Sequence, residues 1–207
     1  MSELNQIIAS PKNGTEDLTF NGQKTEYKLF DFWRWSVSDL LSNATRGRLA
    51  EFIVGTAVGI NPDHIRDEWD TYDLKTVDGI KIEVKSAAYI QCWSQKCFSS
   101  ISFSIKRSFY RVPDTNNESV KLKRYADLYV FCVLKHKDQN TIDPLKMEQW
   151  DFYILPTFRL DNYKRSQSSI TLNSLKKLTD PVSYIELNNR IQIAFSEQTN
   201  FISHSVQ

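Results

Sequence analysis

Hydrophobic and polar positions follow two different periods along the chain, and these divide it into helical and strand segments. From Ser36 or Ser38 to about residue 60, apolar residues recur every three to four positions, as in an amphipathic helix. The apolar stripe rotates part-way along, which predicts a break near residues 43–47, with Asn43 or Thr45 capping the second helix. The Gly-Ile-Asn-Pro run at 59–62 ends the helical pattern.

Strand patterns follow the helical region. They are found at residues 68–76, 80–89, 101–105, 128–134 and 152–155. The run at 128–134 is continuously apolar, which is typical of a strand buried on both faces. Residues 168–178 and 185–195 indicate short helices or helix–strand pieces. This order predicts an α/β or α+β fold, in which a mixed β-sheet is flanked by helices. The single domain spans 29–207 and follows a polar N-terminal arm, 1–28.

Composition excludes several classes of protein. The 26 Lys and Arg residues nearly balance the 25 Asp and Glu residues, so the net charge of +1 excludes a strongly basic, histone-like binder. The three cysteines form no CxxC pair, which argues against a disulfide framework or a structural zinc site. We find neither a secretory signal nor an apolar run long enough to span a membrane. We therefore expect a cytoplasmic protein with no membrane partner.

The residues around the Val77-Asp78-Gly79 turn suggest a site. A two-residue turn would place Asp73 opposite Val84, whereas a three-residue turn would place it opposite Glu83. The three-residue turn needs a positive φ at its third position, where Gly79 stands. In that register Asp73, Glu83 and Lys85 share one face. Adjacent carboxylates repel one another unless a cation compensates them, and Mg²⁺ or Mn²⁺ suits oxygen ligands. The alternative is the solvated face of an amphipathic strand.

Glu51 is the second unusual carboxylate. Gly47, Glu51, Gly55 and Gly59 lie four residues apart on one ridge of the predicted helix, where glycines allow another backbone or a sheet to approach. Glu51 is then partly buried, which is unfavourable unless it is paired or bound to a metal. A structural ion pair with Arg46 or with Lys85 remains the alternative.

These residues resemble a known pattern. A helix carrying Glu51, then Asp73, nine intervening residues and Glu83-Val84-Lys85 resembles the PD-(D/E)xK nuclease superfamily, which has the restriction-endonuclease-like fold. The motif core spans 43–91, and the chain departs from the pattern in having Tyr72 where many members have proline. A wider set of positions, from Trp33 to Trp93, is also similar to a family of uncharacterised bacterial proteins thought to share that fold.

The resemblance implies a role for each matching residue. Asp73 and Glu83 would bind a divalent metal, Mg²⁺ or Mn²⁺, and Glu51 would contribute to the metal shell directly or through water. Lys85 would orient or activate the attacking water. Gln91, six residues after Lys85, would face the same cleft if the strand stays regular.

A nuclease must also hold a polyanionic substrate. The candidate phosphate contacts are Arg46, Arg48, Lys106, Arg107, Lys121, Lys123 and Arg124, each of which can instead be an ordinary surface charge. The chain is thus predicted to be a metal-dependent nuclease, a DNA endonuclease, with cutting of both strands suggesting a homodimer. One alternative is a nucleic-acid-binding or assembly protein that keeps the fold without cleavage. Another is a structural domain in which the acidic residues form only an ion-pair network.

Overall fold

The computed structural model describes residues 4, 7–63, 65–66, 70–109 and 122–205. Its strands are β1 (Asp17–Phe20), β2 (Gln23–Lys28), β3 (Leu74–Lys75), β4 (Lys81–Ala88), β5 (Ser102–Ser104), β6 (Ser108–Phe109), β7 (Leu122–Lys123), β8 (Leu128–Leu134), β9 (Trp150–Pro156) and β10 (Ser169–Thr171). Its helices are α1 (Leu29–Val37), α2 (Asn43–Ala57), α3 (Thr157–Asp161), α4 (Leu172–Leu175) and α5 (Tyr184–Ser205). A 3₁₀ turn, Met147–Gln149, precedes β9.

The central sheet has the strand order β3-β4-β8-β9. Strands β4 and β8 are parallel, whereas β3 pairs with β4 and β9 pairs with β8 in antiparallel fashion. Every residue of β8 is buried, because a strand follows on each side and a packed layer covers each face. The predicted mixed sheet with flanking helices is confirmed.

Two apolar layers cover the sheet. On one face, Ile82 and Val84 of β4 belong to a cluster completed by residues of α2 and α5, including Ile53 and Ile191. The opposite face packs against β5, β10, α3 and α4 in a second cluster. Because side chains alternate between the two faces of β4, those at even-numbered positions point into the helical layer formed by α2 and α5. Glu83 and Lys85, at odd positions, are left half-buried toward the other layer.

The helical region differs from the prediction in where it begins. The expected break is present between α1 and α2, but α1 starts at Leu29 rather than after Ser36. Asp31 explains this early start, since its carboxylate accepts a hydrogen bond from the Lys28 N–H at 2.9 Å. The second helix is capped by Ser42, one residue before Asn43, through a 3.4 Å hydrogen bond from the Thr45 N–H.

The polar N-terminal segment contains regular structure of its own. Strands β1 and β2 form an antiparallel hairpin, in which Asp17 pairs with Lys24 and Lys28 at 2.6 Å each. At the other end of the chain, α5 has 22 residues and is longer than the short element expected there. None of the helices in the described ranges is both long enough and apolar enough to cross a membrane.

Candidate functional site

The hairpin of β3 and β4 adopts the three-residue register. Leu74 pairs with Ile82 and Lys75 pairs with Lys81, which places Asp73 next along the ladder, opposite Glu83. The Asp73 N–H donates to the Ile82 carbonyl at 3.0 Å. Gly79 has a φ of +86°, the conformation that the turn requires. The sequence-based register is confirmed.

The carboxylate of Asp73 is held by the backbone of the neighbouring strand. Its Oδ2 accepts a hydrogen bond from the Val84 N–H at 2.7 Å. One residue to each side, Glu83 and Lys85 are joined because Lys85 Nζ donates to Glu83 Oε1. Asp73, Glu83 and Lys85 thus meet at one edge of the sheet, as expected.

Glu51 joins this group from the helical layer. It is carried by α2 and is linked to Asp73 by Arg66, whose Nε donates to Glu51 Oε2 at 2.5 Å and whose Nη2 lies 3.6 Å from Asp73 Oδ1. The hydrogen-bonded partner of Glu51 is therefore Arg66, rather than Arg46 or Lys85 as we had considered. The sequence contained one indication that Arg66 pairs with these acids, since it is the only Lys or Arg between residues 63 and 73.

The glycine ridge on α2 serves a different purpose from the one predicted. Gly55 is buried because the Ile60 side chain folds onto it, so that a Cβ at this position would lie 2.3 Å from Ile60 Cδ1. A Cβ at Gly47 would meet no atom within 4 Å. The contact at Gly55 is thus with the turn that ends α2 and not with the sheet.

Burial and like charges act together on two of the carboxylates. Burial raises the pKa of Glu51, and the hydrogen bond from Arg66 partly offsets this rise. Burial also raises the pKa of Glu83, where Lys85 opposes the rise and the charge of Asp73 adds to it. The two carboxylates therefore lie in surroundings that favour a bound proton or a compensating cation.

Two depressions meet at Asp73. One is a cleft of about 440 Å³ with aromatic and mainly acidic walls; it is lined by Asp70, Thr71, Tyr72, Asp73, Glu83, Lys106, Ser108, Phe109, Tyr125 and Tyr129. The other has a volume of about 520 Å³ and mostly apolar walls, and it includes Arg48, Glu51, Phe52, Ile65, Arg66 and Tyr72. Asp73 lines both depressions.

The residue types of the site suit a hard divalent cation, although the described side chains are not arranged around one. Carboxylate oxygens from Glu51, Asp73 and Glu83 are the ligands that Mg²⁺ and Mn²⁺ take in proteins. In this arrangement Arg66 and Lys85 engage the carboxylates instead. Among the residues that the structure describes, no three His, Cys, Asp or Glu side chains are close enough together to hold a metal ion.

Gln91 and Arg46 lie in a separate network. Strand β4 ends at Ala88, and the Gln91 side chain turns back to donate to the Ala88 carbonyl at 2.8 Å. The strand therefore does not stay regular to Gln91, which was the condition for its predicted catalytic role. Arg46 is buried, and its Nη1 donates to Gln91 Oε1 at 3.2 Å and to the Leu41 carbonyl at 2.8 Å. The prediction that Arg46 contacts phosphate does not agree with this burial.

Arg124 is also buried within the protein. Its side chain is 0% exposed, and it donates to the Ile105 carbonyl at 2.9 Å and to Asp161 at 2.5 Å. We therefore correct its expected role from phosphate contact to internal support. Arg48 and Lys123 are exposed, with Lys123 Nζ lying 4.8 Å from the centre of the Tyr125 ring. Lys121 lies outside the described residues.

Comparison with known proteins identifies the family. The family model described as bacteriophage T4 endonuclease IV matches residues 3–174, well over half of the chain. The chain belongs to the bacteriophage T4 endonuclease IV family. The matched range contains every carboxylate of the site and Lys85, together with the whole central sheet. No curated protein matches the chain.

Membership of the endonuclease IV family tests the expected activity, but not the expected metal or superfamily. It agrees with the expectation of a nuclease, a hydrolase of phosphodiester bonds. The family description names no metal and no superfamily, so metal dependence and PD-(D/E)xK membership stay predictions.

Proposed function

We propose that the chain is a divalent-metal-dependent DNA endonuclease of the PD-(D/E)xK type. The observation that carries this proposal is the convergence of Asp73, Glu83 and Lys85 at one edge of the sheet in a member of an endonuclease family. Glu51 extends the group from the preceding helix, as the superfamily pattern requires. DNA is the substrate that we propose for this member of an endonuclease family.

The proposed chemistry is hydrolysis of a phosphodiester bond. A Mg²⁺ or Mn²⁺ ion held by Asp73, Glu83 and Glu51 would polarise the phosphate and lower the pKa of a bound water. Lys85 holds a positive charge next to Glu83, where it can orient the attacking water and offset charge that develops on the phosphate. The Val84 N–H donates to the Asp73 carboxylate and helps to hold its orientation.

The cleft beside Asp73 combines carboxylates of the site with groups that can hold DNA. Lys106 supplies a positive charge, while Phe109 and Tyr125 supply rings on which a base or sugar can pack. Lys123 lies over the Tyr125 ring and adds a second exposed cation at this wall. On the far side of Asp73, Arg48 lines the second depression. We infer that the substrate backbone crosses the sheet edge between these two groups.

One observation favours a second candidate function, a protein that binds nucleic acid without cleaving it. Each of Glu51, Asp73 and Glu83 has a cationic side chain of the protein within 4 Å, namely Arg66 or Lys85. Such a network could also be a purely structural feature. The two functions differ in what metal and substrate do, which makes a cleavage assay decisive.

The test is cleavage of supercoiled, linear and branched DNA in Mg²⁺ and in Mn²⁺. We expect Lys85→Ala and Asp73→Asn to lose at least about 100-fold in rate, since each removes a group at the reacting phosphate. Lys135→Ala is the matched control, because it removes an exposed lysine that pairs with Asp151 and not with a carboxylate of the site. This control should cleave at the wild-type rate.

Three outcomes separate the candidates. Cleavage that persists unchanged in Lys85→Ala and Asp73→Asn would refute the site. Binding of DNA by the wild type without cleavage in either metal would favour the non-cleaving function. Cleavage that is insensitive to EDTA would refute the metal dependence alone.

A further inference from the structure

Arg66 lies where two elements of the proposed site face one another. Its guanidinium connects Glu51 on α2 to Asp73 at the start of the β3–β4 hairpin, with Nε on Glu51 Oε2 and Nη2 near Asp73 Oδ1. Nothing in the PD-(D/E)xK pattern noted above corresponds to this residue. Its side chain is 38% exposed, so solvent reaches the guanidinium while the two carboxylates behind it are only 15% and 18% exposed.

The oxygen atoms that Arg66 engages are the ones that a cation would need. Asp73 Oδ2 accepts a hydrogen bond from the Val84 N–H, and Oδ1 is the oxygen on the side of Arg66. Arg66 Nη2 lies 3.6 Å from that same Oδ1, and its Nε takes Oε2 of Glu51. A divalent cation bound to these oxygens would lie within a few ångströms of the guanidinium, and repulsion between the two positive charges opposes their binding together.

The guanidinium of Arg66 compensates part of the negative charge of the site. Glu51, Asp73 and Glu83 raise one another's energy as like charges in half-buried surroundings. Lys85 forms an ion pair with Glu83, and Arg66 supplies the compensating positive charge next to Glu51. Without the positive charge of Arg66, the Glu51 and Asp73 carboxylates would stay close together and uncompensated. They would then bind a small cation more tightly.

We propose that Arg66 is a positioning residue that acts as the resident counter-cation of Glu51 and Asp73 and must leave them before a divalent metal can bind. This inference rests on the proposed metal-dependent function. Arg66 then competes with the metal for these carboxylates. When no metal is bound, it holds Glu51 and Asp73 in place, and its presence lowers the affinity of the site for metal.

The test measures Mn²⁺ binding directly, by isothermal titration calorimetry of the full chain with no DNA present. We expect Arg66→Gln to bind Mn²⁺ about 10-fold more tightly than the wild type, because the competing charge is gone. Arg66→Lys keeps the charge and should stay within about 3-fold of the wild type. Lys75→Gln removes a positive charge from the same depression and should also match the wild type.

A second readout tests the metal-free state. In EDTA, Arg66→Gln should have a lower melting temperature than the wild type, and added Mn²⁺ should raise the melting temperature of this variant by more. Equal or weaker Mn²⁺ binding by Arg66→Gln would overturn the proposal.

The failure of this inference can be told apart from failure of the proposed function. If the wild type cleaves DNA in Mn²⁺ and Arg66→Gln binds Mn²⁺ no better, only the counter-cation role is wrong. If neither protein binds Mn²⁺ and the wild type does not cleave DNA, the metal centre and the role of Arg66 are both wrong.

Discussion

Asp161 accepts hydrogen bonds from two arginines that differ in burial. Arg124 is fully buried and also donates to the Ile105 carbonyl, whereas Arg107 is 40% exposed and lies 3.3 Å from Asp161. We expect Arg124→Ala to lower the free energy of unfolding by about 3 kcal/mol, because the buried Ile105 carbonyl loses a charged donor. Arg107→Ala should lower it by about 0.5 kcal/mol or less. Urea denaturation of both variants measures the difference.

The same pair of variants tests the corrected role of Arg124. If Arg124 supports the fold, the variant should bind DNA as the wild type does wherever it remains folded. A variant with full stability and weakened DNA binding would show that the phosphate-contact interpretation was right after all.

Arginine side chains were the hardest residues to assign from the sequence. The pattern around Lys121-Leu-Lys-Arg124 reads as an exposed basic loop, and nothing in it shows that Arg124 will meet the Ile105 carbonyl. Such partners lie far away in sequence and appear only when the sheet forms. The carboxylates were easier, because Asp73 and Glu83 are placed by a short hairpin whose register depends on local turn chemistry.

At the scale of elements, the turn that sets this register depends on one glycine. Gly79 has a φ of +86°, whereas Gly47 lies inside α2, where a Cβ would meet no atom within 4 Å. Gly79→Ala should lower the free energy of unfolding by about 1 kcal/mol or more, since alanine is strained at positive φ. Gly47→Ala should raise it by about 0.5–1 kcal/mol, because alanine favours the helix.

Thermal or chemical denaturation of the two variants tests this directly, because the free energy of unfolding should fall in Gly79→Ala and rise in Gly47→Ala. Gly79→Ala should also reduce nuclease activity, because a two-residue turn would move Asp73 from opposite Glu83 to opposite Val84. Unchanged stability and activity in Gly79→Ala would mean that the register does not depend on the turn.

Elements were predictable where their pattern is local and continuous. The buried strand β8 and the hairpin agree with the sequence, since period-two alternation and an apolar run are enough to place them. The start of α1 was missed because the helix has no buried apolar stripe, and its Phe32 and Trp35 are exposed. The length of α5 was missed because its C-terminal half is polar and packs only through one face.

At the scale of the whole molecule, the near-neutral charge conceals a separated distribution. Five acids lie between residues 63 and 73, and Asp73 among them belongs to the site, whereas lysines and arginines concentrate between 106 and 124. Burial of Arg46 and Arg124 removes two cations from the surface that DNA can reach. A net charge of +1 is therefore compatible with DNA binding, but only through a small number of phosphate contacts.

This limit predicts a shallow salt dependence of DNA binding. Arg48, Lys106 and Lys123 are the exposed cations that we place beside the cleft and the second depression, and about three phosphate contacts give a slope of about −2 to −3 for log K against log[salt]. Fluorescence anisotropy with non-cleaving Lys85→Ala at 50–300 mM KCl, a range of the order usual for such slopes, measures this directly. Lys123→Gln should make the slope shallower by about one contact, whereas Arg124→Lys, at a buried position, should leave it unchanged. A slope of about −6 or steeper would require many more phosphate contacts than this surface provides, and it would show that basic residues elsewhere on the chain dominate binding.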